Sequence, residues 1–242
     1  MGRLLRADGR PSNDAIFKGA PALTPVPDYS YAGAIQSHEE SLRRLGLERV
    51  DTLFIHSPSD DLDAALGNAF PALQALRASG SARAIGAGMG QPEMLARIAR
   101  ETDADCLLAA GCYSLLDQSA QADLMPLCAE RNISIFVGGV FNGGILADPA
   151  PGARFNYQPA SETTLARARA IANVCARHDV SMAAAALQFP LGQPAVEVVL
   201  IGCRTAAEVE NNVRDFAVPI PPALWSELKS EGLLPGNAPT PA

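Results

Sequence analysis

Five short apolar runs, near residues 51–56, 83–88, 106–112, 133–138 and 196–201, alternate with stretches of helical spacing. No other feature of this chain limits its fold as strongly. The runs are continuous, as in Ile133-Ser134-Ile135-Phe136-Val137, where a strand with one wet face would alternate apolar and polar residues. Continuous runs belong to strands covered on both faces, the habit of parallel sheets. The intervening segments at 35–45, 62–78, 92–100, 120–131, 163–178, 182–189, 206–213 and 222–228 carry period 3.6. In the first of these Leu42 and Leu45 lie on one side, Glu39, Glu40, Arg43 and Arg44 lie on the other, and Gly46 supplies a stop. Strands alternating with helices read as βαβ units of an α/β fold. Pro11, Gly19, Pro21, Pro25, Pro27 and Gly33 break any period early on, so residues 1–33 read as a loop region. Residues 34–230 hold the βα units of a single domain, and 231–242 read as a disordered tail.

Composition excludes several classes. The 242 residues are 48% hydrophobic and 19% charged, an ordinary globular balance with length for a large core. No run approaches the ~20 apolar residues that cross a bilayer, and no basic segment precedes an apolar one as in an export signal. The net charge is −7 with no basic stripe, so nucleic acid is not an expected partner. The five cysteines are odd in number and widely spaced among Leu, Ala and Val. They read as reduced, buried thiols of a cytoplasmic protein, with neither a disulfide frame nor a metal site. The pattern specifies no oligomeric state.

In a parallel α/β barrel the chemistry gathers at the carboxyl ends of the strands. The five runs end in His56-Ser57-Pro58, Gly88-Met89-Gly90-Gln91, Tyr113-Ser114, the segment from Gly138 to Gly144, and Gly202-Cys203-Arg204-Thr205. Small residues mixed with a few polar or aromatic ones suit a ligand whose phosphates and flat ring approach the backbone closely. Gly202 and Arg204 before a helix make an anion site, where free N–H groups, the helix dipole and a guanidinium converge. Each feature also has a plain structural reading. His56 is either a functional group or a core histidine, Tyr113 either a ligand contact or packing, and Arg204 either a phosphate ligand or a solvated cation. Four glycines among residues 138–144 exceed what a turn requires. His38 and His178 read as surface residues.

The string Ser41-Leu42-Arg43-Arg44-Leu45-Gly46-Leu47, followed by Val50-Asp51 and His56, resembles the aldo-keto reductases. Ala84-Ile85-Gly86, Tyr113 through Gln118, Phe141 through Ala147 and Ile201 through Asn212 follow in the same order, so the likeness covers about residues 2–230. The closest branch looks like the D-threo-aldose (L-fucose) and pyridoxal dehydrogenases. The resemblance implies a (β/α)8 TIM barrel that moves hydride between NAD(P)H and a small sugar or aldehyde, with an Asp, Tyr, Lys and His at its centre. His56 matches the family's His. Gly138, Phe141, Asn142 and Gly143 fall in its nicotinamide and phosphate loop, and Arg204, Glu208 and Asn212 match its grip on the adenosine phosphate.

The departures are specific. Nothing matches the family's Asp, Tyr and Lys, and Lys18 and Lys229, the only lysines, align with neither motif. Gly88-Met89 stands where many members have Ser-Asn, Ala110 where they have Gln, and Ser57-Pro58-Ser59 where this branch has an acidic pair. Five strands are visible where the barrel needs eight. The expectation is a chain lacking its first three βα units, with Met1 at a start assigned too far downstream. Such a chain exposes two sheet edges and part of an apolar interior. Three functions compete: a hydride-transfer enzyme complete only with an upstream part, a non-catalytic dinucleotide-binding relic or partner subunit, and a different barrel that binds a phosphorylated substrate.

Overall fold

The computed structural model describes residues 2–5 and 23–242. Two short strands open it, β1 (Gly2–Leu5) and β2 (Leu23–Val26), paired antiparallel with Gly2 opposite Val26. This corrects the reading of 1–33 as loop over its described part; residues 6–22 lie outside the described residues. Pro25 sits inside β2, and a two-stranded ribbon leaves an outer edge where a residue without an N–H costs no ladder bond.

The first helix, α1 (Tyr31–Leu45), also begins earlier than its apolar spacing shows. Ser30 caps it by accepting from the Gly33 N–H at 3.0 Å, and Gly46 ends it. Then follow β3 (Val50–His56), a short α2 (Leu62–Ala64) that runs through a π turn into α3 (Phe70–Ala78), β4 (Ala82–Met89), α4 (Pro92–Glu101), β5 (Cys106–Ala110), α5 (Leu124–Arg131) and β6 (Ser134–Gly138). A two-strand hairpin, β7 (Arg154–Phe155) and β8 (Gln158–Pro159), precedes α6 (Glu162–Arg177) and α7 (Met182–Gln188). The chain then forms β9 (Val196–Leu200), α8 (Ala206–Phe216) and α9 (Pro222–Ser230).

All five apolar runs are strands of one parallel sheet, in the order β3-β4-β5-β6-β9. The helices cover one face. Leu107, Ile135 and Val137 point into that layer and are fully buried with Leu95, Leu124 and Met125. Burying one such side chain stabilises the fold by about 1.5–3 kcal/mol. The other face is only partly covered. There the Phe54 and Phe136 rings meet edge to face with centroids 5.4 Å apart, and Leu200 is 50% exposed. Among the described residues β3 and β9 each pair on one side only.

Three further expectations are corrected. Residues 231–242 pack: Leu234 and Ala238 are buried, and Arg167 donates to the Leu233 carbonyl at 2.9 Å. Two isolated apolar contacts show no period, so the sequence hides them. His38 is 3% exposed rather than superficial, because it sits on the side of α1 that faces β3. His178 is mostly covered, its ring paired with Glu227 of α9. Of the cysteines, Cys106, Cys112, Cys128 and Cys175 are buried, but Cys203 is exposed on a strand-to-helix turn. Burial pushes the first three thiols up to about 12 and Cys175 up to about 11. No helix among the described residues is long and apolar enough to cross a membrane.

Candidate active site

Parallel strands bring all five carboxyl ends to one side of the sheet. His56 is the last residue of β3 and lies opposite Gly88 of β4. It shares a strand face with Phe54, two residues earlier, so its exposed imidazole lies on the face away from the helices. Two bonds hold the residue after it. Ser57, at φ 46, donates its N–H to the Gly88 carbonyl at 2.8 Å, and its own carbonyl accepts from the Tyr29 hydroxyl at 2.9 Å. Tyr29 is therefore a positioning group for the His56 turn, 28 residues away in sequence. A cavity of about 190 Å³ opens between α1 and the β3 edge that has no partner among the described residues, lined by Tyr29, His38, Leu53, Phe54, His56 and Leu73 among others.

At the second turn the residues standing in the family's Ser-Asn positions are both apolar. Met89 is buried, and Gly88 packs so closely that an added Cβ would stand 3.1 Å from that of Leu108.

The glycine-rich segment after β6 serves mainly to join strand ends. Asn142 is fully buried at φ 45. Its Nδ2 donates to the Gly111 carbonyl at 3.0 Å and to Asn156 Oδ1 at 2.9 Å, while its Oδ1 accepts from the Ser114 hydroxyl. Ser114 Oγ accepts in turn from the N–H groups of Leu116 and Asp117, each at 3.1 Å. Every polar atom of the Asn142 side chain is thus spent inside the protein. Gly111 is required at the centre: its φ is +72, and a Cβ would lie 2.8 Å from Asn156 Oδ1. The sequence sets Ser114 at a strand end but assigns no role to it, to Gly111 or to Asn156; no spacing rule links residues that meet only through tertiary contact. Phe141 is half-buried against the core, Gly138 is buried, and Gly143 abuts the Arg154 carbonyl.

Tyr113 does not reach this surface. It is fully buried, stacked on Phe189 with centroids 5.3 Å apart, and Trp225 lies beyond Phe189. Burial pushes its phenol up to about 12. The Gln193 side chain opposes that rise, yet the hydroxyl makes no hydrogen bond of good geometry.

The turn from β9 into α8 keeps its candidates together. Thr205 caps α8 by accepting from the Glu208 N–H at 3.1 Å. Glu208 reaches back to accept from the Arg204 backbone N–H at 2.7 Å and from its guanidinium at 2.9 Å. Those two contacts, the backbone one first, hold the Glu208 carboxyl below the usual range. Arg204, Glu208 and Asn212 follow at i, i+4 and i+8, with Asn212 Nδ2 3.3 Å from Cys203 Sγ. The Arg204 side chain is 89% exposed, and nothing stands within 4 Å of a Cβ placed on Gly202. The ridge has open space before it. Among the described residues no cluster of three His, Cys, Asp or Glu side chains could hold a metal ion.

The pattern of the aldo/keto reductase family matches residues 16–231. The chain is 40% identical to a D-threo-aldose 1-dehydrogenase of Pseudomonas sp over 97% of its own length and 74% of that protein's. It is 38% identical to a pyridoxal 4-dehydrogenase of Microbacterium luteolum over 86% of this chain and 64% of that one, so it spans less than two thirds of the latter. An aldo-keto reductase from Bacillus halodurans in its holo form superimposes with a TM-score of 0.69 at 21% identity, covering 84% of this chain and 68% of that one. The chain belongs to the aldo/keto reductase family of oxidoreductases.

Proposed function

We propose that the chain belongs to an NAD(P)-dependent enzyme that moves hydride between a nicotinamide and an aldose or pyridoxal-like alcohol, or the corresponding carbonyl. The carrying observation is that His56, at the end of β3, and the Gly202–Asn212 ridge, after β9, stand at the same end of one parallel sheet. The residues fit a dinucleotide. Gly202 leaves room for a phosphate beside the backbone, Arg204 offers an uncommitted face of its guanidinium, and Glu208 and Asn212 supply groups for an adenosine. Phe141 and Gly143 line the neighbouring turn, whereas Asn142 braces it. When bound, the nicotinamide supplies the hydride acceptor or donor. His56 orients the substrate oxygen by hydrogen bonding. The unpaired thiols of the described residues fit a reducing compartment such as the cytoplasm.

A second reading has its own support: no residue of this chain matches the family's Asp, Tyr and Lys. We propose that the 242-residue chain by itself binds the dinucleotide without turning over substrate. Calorimetric titration with NADH and NADPH, followed by a dehydrogenase assay, tests both statements. Arg204→Ala should weaken NADPH about tenfold, the worth of one charge-assisted contact of ~1.4 kcal/mol, and NADH less. Binding of neither cofactor overturns the dinucleotide reading, and measurable turnover by the chain alone overturns the second statement.

A further inference from the structure

The hairpin between β7 and β8 turns on Asn156-Tyr157, with φ values of 44 and 71. Two-residue hairpins of this hand favour Asn-Gly, because both central residues need positive φ. Asn tolerates that; a bulky aromatic at the second position is an outlier. The hairpin tip is pinned. Asn156 donates from Nδ2 to the Gly111 carbonyl at 3.3 Å, accepts from Asn142 Nδ2 at 2.9 Å, and donates its N–H to the Asn142 carbonyl at 3.3 Å. Gly111 directly follows β5, and Asn142 lies four residues beyond β6. The pins thus hold the tip at the carboxyl ends of two central strands, the end that carries His56. Tyr157, the next residue, is 64% exposed there. Burial does not account for a strained aromatic facing water, and such strain marks sites where the surroundings over-determine the backbone.

We propose that Tyr157 is a specificity-determining residue whose ring offers a flat face to a ring-shaped alcohol substrate, with Asn142 and Asn156 as positioning residues that hold it. The proposal rests on the oxidoreductase reading above and adds to it the group that selects cyclic substrates. An aromatic face suits a pyridine ring by offset stacking and the apolar face of a pyranose by burial of its C–H groups.

The test uses the full chain, its Tyr157→Gly and Tyr157→Phe variants, and calorimetric titration with pyridoxine and with L-fucose in the presence of NAD. Tyr157→Gly should weaken pyridoxine about tenfold, Tyr157→Phe should bind as the parent does, and the Tm of Tyr157→Gly should stay level or rise because glycine suits φ 71. Unchanged binding of both ring ligands by Tyr157→Gly overturns the proposal, as does a Tm loss of several degrees, which would make Tyr157 a packing residue. Absence of ring binding by the parent chain overturns it too. A chain that binds dinucleotide while Tyr157→Gly changes nothing sinks this proposal alone. A chain that binds no dinucleotide but whose pyridoxine affinity responds to Tyr157 sinks the cofactor reading and supports this one.

Discussion

The Tyr29 hydroxyl donates to the carbonyl of Ser57 at 2.9 Å, tying the segment before α1 to the turn that follows His56. Burial, helped by the charges of Asp60 and Asp61, pushes the Tyr29 phenol above its ordinary value, so it remains a donor throughout the neutral range. Tyr29→Phe keeps the ring and removes this one bond. Stability should fall by about 0.5–1.5 kcal/mol in urea denaturation. The His56 imidazole signal should broaden or shift in NMR as Ser57, held at φ 46, loses one of its two restraints. An unchanged midpoint together with an unchanged His56 spectrum would remove Tyr29 from any positioning role.

His38 gives a pH dependence. Neither ring nitrogen has a hydrogen-bond partner among the described residues. Burial holds its pKa below the ordinary 6.5, with Glu39 opposing. The folded chain therefore favours the neutral ring, while the unfolded chain takes up a proton near pH 6.5. Stability should be unaffected by this group above that pH and should drop as pH falls from there toward the lower folded value. His38→Leu should flatten that slope and add about 1 kcal/mol at acidic pH by removing an unpaired polar group. Parallel stability curves for parent and variant between pH 7 and 5 would exclude His38 as the source.

Asn142→Ala should cost roughly 1–3 kcal/mol, because it leaves the Ser114 hydroxyl hydrogen without an acceptor, Asn156 Oδ1 without its donor, and the Gly111 carbonyl with the longer bond from Asn156 alone. The loss should be less than additive with Ser114→Ala, since both belong to one network. Additive losses in a double-mutant cycle would show that the network does not act as a unit.

Gly86 pairs with Cys106 across β4 and β5, and a methyl group there would overlap the Cys106 carbonyl oxygen. Gly86→Ala should cost about 3 kcal/mol or more, since backbone rather than a movable side chain must yield. Soluble Gly86→Ala protein with the parent's Tm would disprove the close strand approach.

Much of this protein was legible in local patterns. Leu107, Ile135 and Val137 lie in runs whose continuity required a buried parallel sheet, and the structure buries them on the helix side. The same continuity overstated the cover of the opposite face, where Phe136 and Leu200 stay partly exposed and the β3 and β9 edges have no described neighbour. Arg204 was legible as a cation just before a helix start, whereas Glu208 and Asn212 came only with the family resemblance; the structure sets them one and two turns beyond Arg204. Tyr113 and Asn142 were not legible, since burial depends on what the rest of the chain places over a residue. Tyr113 met Phe189, and Asn142 met Gly111, Ser114 and Asn156. The His38 environment, the packed tail and the exposed Tyr157 belong to the same class. Periodicity records which side of an element is apolar; only the tertiary fold decides which polar groups are enclosed with partners, which without, and which aromatic is left facing water.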